Sequence, residues 1–186
     1  MNLSEYKGYS KQKFILGDNF FYPKRFSKAL FLDWLLQTEQ YLIRTYLINL
    51  RSEEYYTYIN PNRFLKYYYQ RKKNKLGLKL GFFIPAGCFD LGLHIAHYGS
   101  IIINPLSHIG KNCTIHGNCC IGNSGDDTNG LPQIGDNVDI GQNAQILGDV
   151  YIAKGTKIGA GSIVIHSVLE ENSTVVGIPG RVVHKK

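Results

Sequence analysis

Six histidines are the residues best suited to proton transfer, among them His97 in the run His97-Tyr98-Gly99-Ser100, and each taken alone is more often structural. An imidazole titrates near neutral pH and can take a proton from a hydroxyl, which attacks poorly while it keeps that proton. Asp126 and Asp127, in a Gly- and Asn-rich run, could bind an acceptor or orient an imidazole. His116 is the reserve base. His94, His108, His116, His166 and His184 are otherwise expected at surfaces or corners without an aspartate partner. The four cysteines match no zinc spacing, so no metal site is expected. No phosphate loop, dinucleotide fingerprint or nucleic-acid-reading motif occurs.

The elements that must hold His97 show in a repeat. Apolar residues recur every six positions: Phe83, Phe89, Ile95 and Ile101, then Ile109, Ile115 and Ile121, then Ile134 through Ile140, Ile146, Ile152 and Ile158 to Val164. Glycine often follows, and Cys113, Cys119, Ala144, Val150, Thr156 or Ser162 stands four positions on. A period of six is neither a helix nor a hairpin array. It fits one flat face of a triangular parallel β-helix, with three faces to a coil and about four coils in all. The apolar residue points inward, the small residue fills a corner, and glycine is expected to relieve the turn. Counting in threes puts Ile95, Ile115, Ile140 and Ile158 on one face, and Ile101, Ile121, Ile146 and Val164 on the next. His97 then turns inward or to a corner. A two-residue insertion falls between Ile101 and Ile109, and a seven-residue insertion between Ile121 and Ile134 extrudes a loop at 123–131.

The first part of the chain differs. Of the 186 residues, 1–81 carry a net charge of +9 and 11 of the 13 Tyr, whereas 82–186 carry −2 and 16 of the 20 Gly. Apolar positions at three- and four-residue spacing from Lys24 to Leu50 predict one or two amphipathic helices. Asn60-Pro61-Asn62 predicts a stop and a second helix from Pro61 to about Asn74. Repeat arrays need caps, so 1–81 is expected to cap the first coil. With 44% hydrophobic and 19% charged residues, disordered, collagen-like and coiled-coil compositions are excluded. No signal-peptide run or membrane span is visible, so reduced thiols and a cytoplasmic location are expected.

Ile84-Pro85, His97, the repeats, the extruded loop, Pro132-Gln133-Ile134-Gly135, Ile158-Gly159-Ala160-Gly161-Ser162 and Val176-Gly177-Ile178-Pro179-Gly180-Arg181 together resemble a serine acetyltransferase. More loosely, they resemble the wider hexapeptide-repeat acyltransferases. The resemblance covers residues 82–183. It implies a mainly β fold, a left-handed parallel β-helix with an α-helical N-terminal part (1–81), a β-helix over 82–175, a CoA-covering tail at 176–186, and a homotrimer. It implies that His97 is the general base that activates an acceptor hydroxyl against the thioester of acetyl-CoA. CoA contacts would fall at Gly122, Asn123, Gln142 and Ala160, with Pro179, Gly180, Arg181 and Lys186 covering its far end. Backbone N–H groups near Asn123 would serve the oxyanion. Tyr98, His116, Asp126 and Asp127 remain candidates for acceptor binding or for orienting His97.

Three departures bear on the acceptor. The family's carboxylate partner of the base falls at Phe82, its acidic residue before the base at Ala96, and its Arg-His pair at Gly130-Leu131. Without those charged anchors, free serine loses its clamps. The expected acceptor is therefore a sugar hydroxyl in capsular or exopolysaccharide biosynthesis. Serine O-acetylation for cysteine biosynthesis and a non-catalytic binding role are the alternatives. The basic helices would then meet an anionic glycan or the inner membrane face.

Overall fold

The computed structural model describes residues 3–21, 28–125 and 130–183. Helix α1 spans Lys11–Ile15, α2 Lys28–Leu36, α3 Glu39–Glu54 and α4 Arg63–Leu80. Thr38 caps α3 by accepting from the Tyr41 amide, and Asn62 caps α4 by accepting from the Leu65 amide. The helix after the Asn-Pro-Asn signal therefore starts at Arg63, and it runs beyond Asn74 to Leu80. It stops at Gly81, whose φ of +80° is a left-handed cap open to glycine. Ile43, Leu47 and Leu50 face inward from α3. They join one continuous core with the isoleucines of the β-helix. The basic helices thus sit on the first coil. Helix α2 is different, leaving Phe31, Trp34, Leu35 and Leu36 exposed. No helix among the described residues is long and apolar enough to cross a membrane.

From Phe82 onward the chain winds as a parallel β-helix of three sheets. The first face stacks Phe82–Phe83, Ile101–Ile103, Cys120–Gly122, Gln145–Leu147 and Ile163–Val164. The second stacks His108–Ile109, Gln133–Ile134 and Tyr151–Ile152. The third stacks His94–Ile95, Thr114–Ile115, Asp139–Ile140, Lys157–Ile158 and Thr174–Val176. It closes on the antiparallel strand Arg181–Val183.

Ile95, Ile115, Ile140 and Ile158 align on the third face as the hexads require. The first face departs from expectation. Ile103, not Ile101, pairs with Ile121, while Ile101 pairs with Phe82. Both isoleucines are fully buried, because they flank Ile102 on a strand with alternating sides. The two-residue insertion therefore lies between Ile95 and Ile103, and it contains His97. At the start of the helix, Phe82 and Ile84 point inward and Phe83 is exposed, reversing the expected phase.

The corners also differ from the simple reading. Left-handed backbone at the corners falls on Asn112, Asn118, Asn137, Asn143 and Asn172, with φ from +56° to +62°, and on Gly155 and Gly161 at +71°. Asparagine tolerates this conformation better than other side chains. Gly110, Gly135, Gly141 and Gly159, which follow inward isoleucines, serve close stacking instead. A Cβ on Gly141 would lie 2.6 Å from the Ile158 carbonyl oxygen of the next coil. Cys113 and Cys119 do fill corners, fully buried, with their thiols donating to the Gly135 and Gly141 carbonyls.

One polar cluster locks the helices to the first coil. Arg51 is completely buried, and every donor of its guanidinium is used. It forks onto both oxygens of Asp18, meets Glu54 at 2.7 Å, and donates to the carbonyls of Phe89 and Asp90 at 3.0 and 2.8 Å. Asp18 in turn accepts from the Gly92 and Leu93 amides, and Glu54 from the Gly87 amide.

Candidate active site

The insertion between Ile95 and Ile103 bulges out of the first coil at the edge between the third and first faces. His97 is carried there with 63% of its side chain exposed, at the shared corner and not inside the prism. Three successive amides hold the bulge. The Tyr98 N–H donates to Glu39 Oε1 at 2.7 Å, Gly99 to the Leu80 carbonyl at 3.1 Å, and Ser100 to Asn118 Oδ1 at 2.9 Å. Gly99 has φ +132°, and a Cβ there would lie 2.7 Å from Asn118 Oδ1, so glycine is required. The Tyr98 ring is exposed. Glu39 Oε1 also lies 3.4 Å from His97 Nδ1. In the sequence Glu39 has the look of an ordinary first-turn acid of a helix, and nothing local marks its contact with His97.

Gly117, Gln142 and Ala160 also stand two residues past an inward isoleucine of the third face, so they continue the His97 edge along the stack. Backbone bonds tie that edge together: Asn143 N–H to the Gly117 carbonyl, and Gly161 N–H to the Gln142 carbonyl at 2.8 Å. Gly122 and Asn123 follow Ile121 at a different edge, between the first and second faces. Within one chain they stand on a different edge from His97, Gln142 and Ala160. Asn123 instead donates its side-chain amide to the Gly125 carbonyl. At the top of the stack, the Gly180 amide donates to the Ile163 carbonyl at 2.7 Å and Arg181 is exposed. The Ile178-Pro179 peptide is cis. Asp126, Asp127, His184 and Lys186 lie outside the described residues.

The other histidines are less isolated than expected. His116 Nε2 lies 3.1 Å from Asp139 Oδ1, and His108 Nε2 lies 3.7 Å from Asp90 Oδ2. Parallel stacking creates the first pair, because Asp139 is the neighbour of Thr114 one coil up. Burial lowers the pKa of His94, with His116 as a further cause, and burial likewise lowers that of His108. A histidine with a lowered pKa binds fewer protons folded than unfolded, so its contribution to stability holds above about pH 6.5 and is lost as pH falls below it. The melting temperature should be flat from pH 8 to 7 and fall between pH 6.5 and 5. A rise over that acidic range would contradict the assignment.

Thiol chemistry is disfavoured here. Burial pushes Cys88 and Cys113 up to about 12 and Cys119 to about 11. Among the described residues, no three His, Cys, Asp or Glu side chains gather as a metal would need.

The pattern "bacterial transferase hexapeptide (six repeats)" matches residues 132–166, so this stretch of the β-helix is a hexapeptide-repeat segment. Over about half of its length the chain is similar to serine acetyltransferases. It is 42% identical to that of Bacillus licheniformis over 90 residues, which cover 48% of this chain and 41% of the relative. The chain spans less than half the length of the curated relatives it matches. Among solved structures, a serine acetyltransferase in complex with CoA is 27% identical, with a TM-score of 0.59, covering 77% of this chain and 55% of that one. The Neisseria gonorrhoeae serine acetyltransferase in complex with serine is 26% identical, with a TM-score of 0.60, covering 98% of this chain and 69% of that one. The likeness to that enzyme therefore extends through the helical part.

Proposed function

We propose that the protein is an acetyl-CoA-dependent O-acetyltransferase with His97 as general base. The observation that carries this reading is the placement of His97 on a clamped bulge at one edge of a hexapeptide β-helix whose relatives are serine acetyltransferases. In the reaction, His97 takes the proton of the acceptor hydroxyl as its oxygen bonds to the thioester carbonyl carbon. The tetrahedral intermediate then expels the CoA sulfur, which leaves as the thiol with the proton returned by the imidazolium. The products are an acetyl ester and free CoA, with no net change in protons. CoA would lie along the edge of Gln142 and Ala160. In a homotrimer, the Gly122–Asn123 edge of a second copy would close the groove, uniting residues that a single chain keeps apart.

For the acceptor, the relatives favour L-serine over the sugar expected from the sequence, since their names specify serine acetylation. A specific observation keeps the sugar as a second reading. Phe82, at the place of the family's carboxylate, is buried against Tyr46 with ring centroids 5.1 Å apart, so it offers no charge to the site. Neither Ala96 nor the Gly130-Leu131 pair can supply the other anchors. CoA release measured over a panel of L-serine and hydroxyl-bearing sugars separates the two. L-serine turnover well above that of every sugar supports the first reading. A sugar preferred over L-serine by tenfold or more establishes the second, and no acceptor-dependent release from either class overturns the proposed activity.

A further inference from the structure

We propose that Glu39, from the helical part of the chain, is the carboxylate that orients the base His97. The proposal rests on the acetyl-transfer reading and adds a positioning residue to it. The relevant geometry is a three-way contact. Glu39 is the first residue of α3, directly after its cap Thr38. Its Oε1 accepts from the Tyr98 amide at 2.7 Å and stands 3.4 Å from His97 Nδ1. The bond to the neighbouring amide fixes the carboxylate where it meets the ring. It is more constrained than a mobile surface ion pair, which is usually worth little.

A carboxylate at Nδ1 holds the imidazole in the tautomer that carries its hydrogen on Nδ1. The lone pair of Nε2 is then left free for the acceptor proton, which is the arrangement a base of this kind needs. Phe82 leaves the β-helix without a carboxylate at the family position. The contact from α3 fills that role. It also gives the helical part a task beyond covering the first coil. Of the three amides that hold the bulge, two are anchored from this part, on Glu39 and on the Leu80 carbonyl.

The test compares Glu39→Ala, Glu39→Gln and His97→Ala in the full chain. Glu39→Ala is expected to lower kcat by about 10–100-fold. Its KM for acetyl-CoA should stay within about twofold of wild type, because the CoA groove is not touched. Glu39→Gln keeps an acceptor oxygen for the ring and the amide, so it should recover part of that loss. Nitrogen NMR of labelled histidine reads the ring directly: the Nδ1–H tautomer of His97 should dominate in wild type and lose that dominance in Glu39→Ala. A merely structural contact would leave the tautomer ratio unmoved. If His97→Ala abolishes turnover while Glu39→Ala keeps full kcat and an unchanged tautomer ratio, the Glu39 role is overturned and the general-base reading stands. If His97→Ala itself keeps full turnover, the reading beneath it fails. The tautomer ratio is measured without an acceptor, so it decides the Glu39 contact in either case.

Discussion

His97→Ala should reduce acetyl transfer by about 10²–10⁴-fold, the usual contribution of a positioned general base. The loss should fall on kcat, since the imidazole acts on a proton that moves only in the transition state. Folding should be little affected. The side chain is 63% exposed, and the bulge is held through the backbone amides of Tyr98, Gly99 and Ser100, not through the imidazole. A melting temperature close to that of wild type would accompany the loss. His116 is the comparison, because it lies one coil up on the third face and has a carboxylate of its own, Asp139 Oδ1, 3.1 Å from its Nε2. His116→Ala should leave turnover within about threefold if His97 alone is the base. Equal losses from both substitutions would assign the proton transfer to a pair.

Arg51→Ala should cost about 3–5 kcal/mol, the penalty for removing one partner of a buried ion pair. The guanidinium has no exposed surface and serves Asp18, Glu54 and two backbone carbonyls. Its removal would leave two carboxylates inside with no cation between them, and alanine is too small for a water-free repacking. For a chain of this length the loss corresponds to a fall in melting temperature of roughly 6–20 °C. Arg51→Lys should recover little, since one ammonium cannot fork onto Asp18 while also reaching the Phe89 and Asp90 carbonyls. A loss under about 1 kcal/mol for Arg51→Ala would show that the cluster is solvated and does not lock the helices to the coil.

The hexads made the β-helix and its third face legible, because isoleucine at every sixth position has one structural meaning. The first face was harder for a plain reason. Ile101-Ile102-Ile103 offers three residues of equal hydropathy, so periodicity alone does not say which one stacks under Ile121. That ambiguity moved the insertion past His97 in the sequence reading and hid the bulge. An alternative count, eight residues from Ile95 to Ile103 and six from there to Ile109, would have found it. The corner asparagines carried a readable signal too, standing three places after the inward isoleucine in Ile109–Asn112, Ile115–Asn118, Ile134–Asn137 and Ile140–Asn143.

Contacts between distant segments left weaker traces. Arg51 and Glu54 continue the buried stripe of Ile43, Leu47 and Leu50 on α3, which marks them as buried charges without naming Asp18 as their partner. Glu39 and His97 are separated by most of the helical part, and nothing local to either residue announces their meeting. The split of Gly122 and Asn123 from Gln142 and Ala160 follows from the same geometry. Residues that follow inward positions on different faces stand on different edges of one prism, and only a second copy can bring them face to face.

A crystal structure with CoA tests the central claim most directly. The pantetheine arm should follow the edge of Gln142 and Ala160 and bring its thiol beside His97, with space for a hydroxyl about 3–3.5 Å from the thioester carbon. CoA bound with its thiol away from His97, or no CoA bound at saturating concentration, would contradict it.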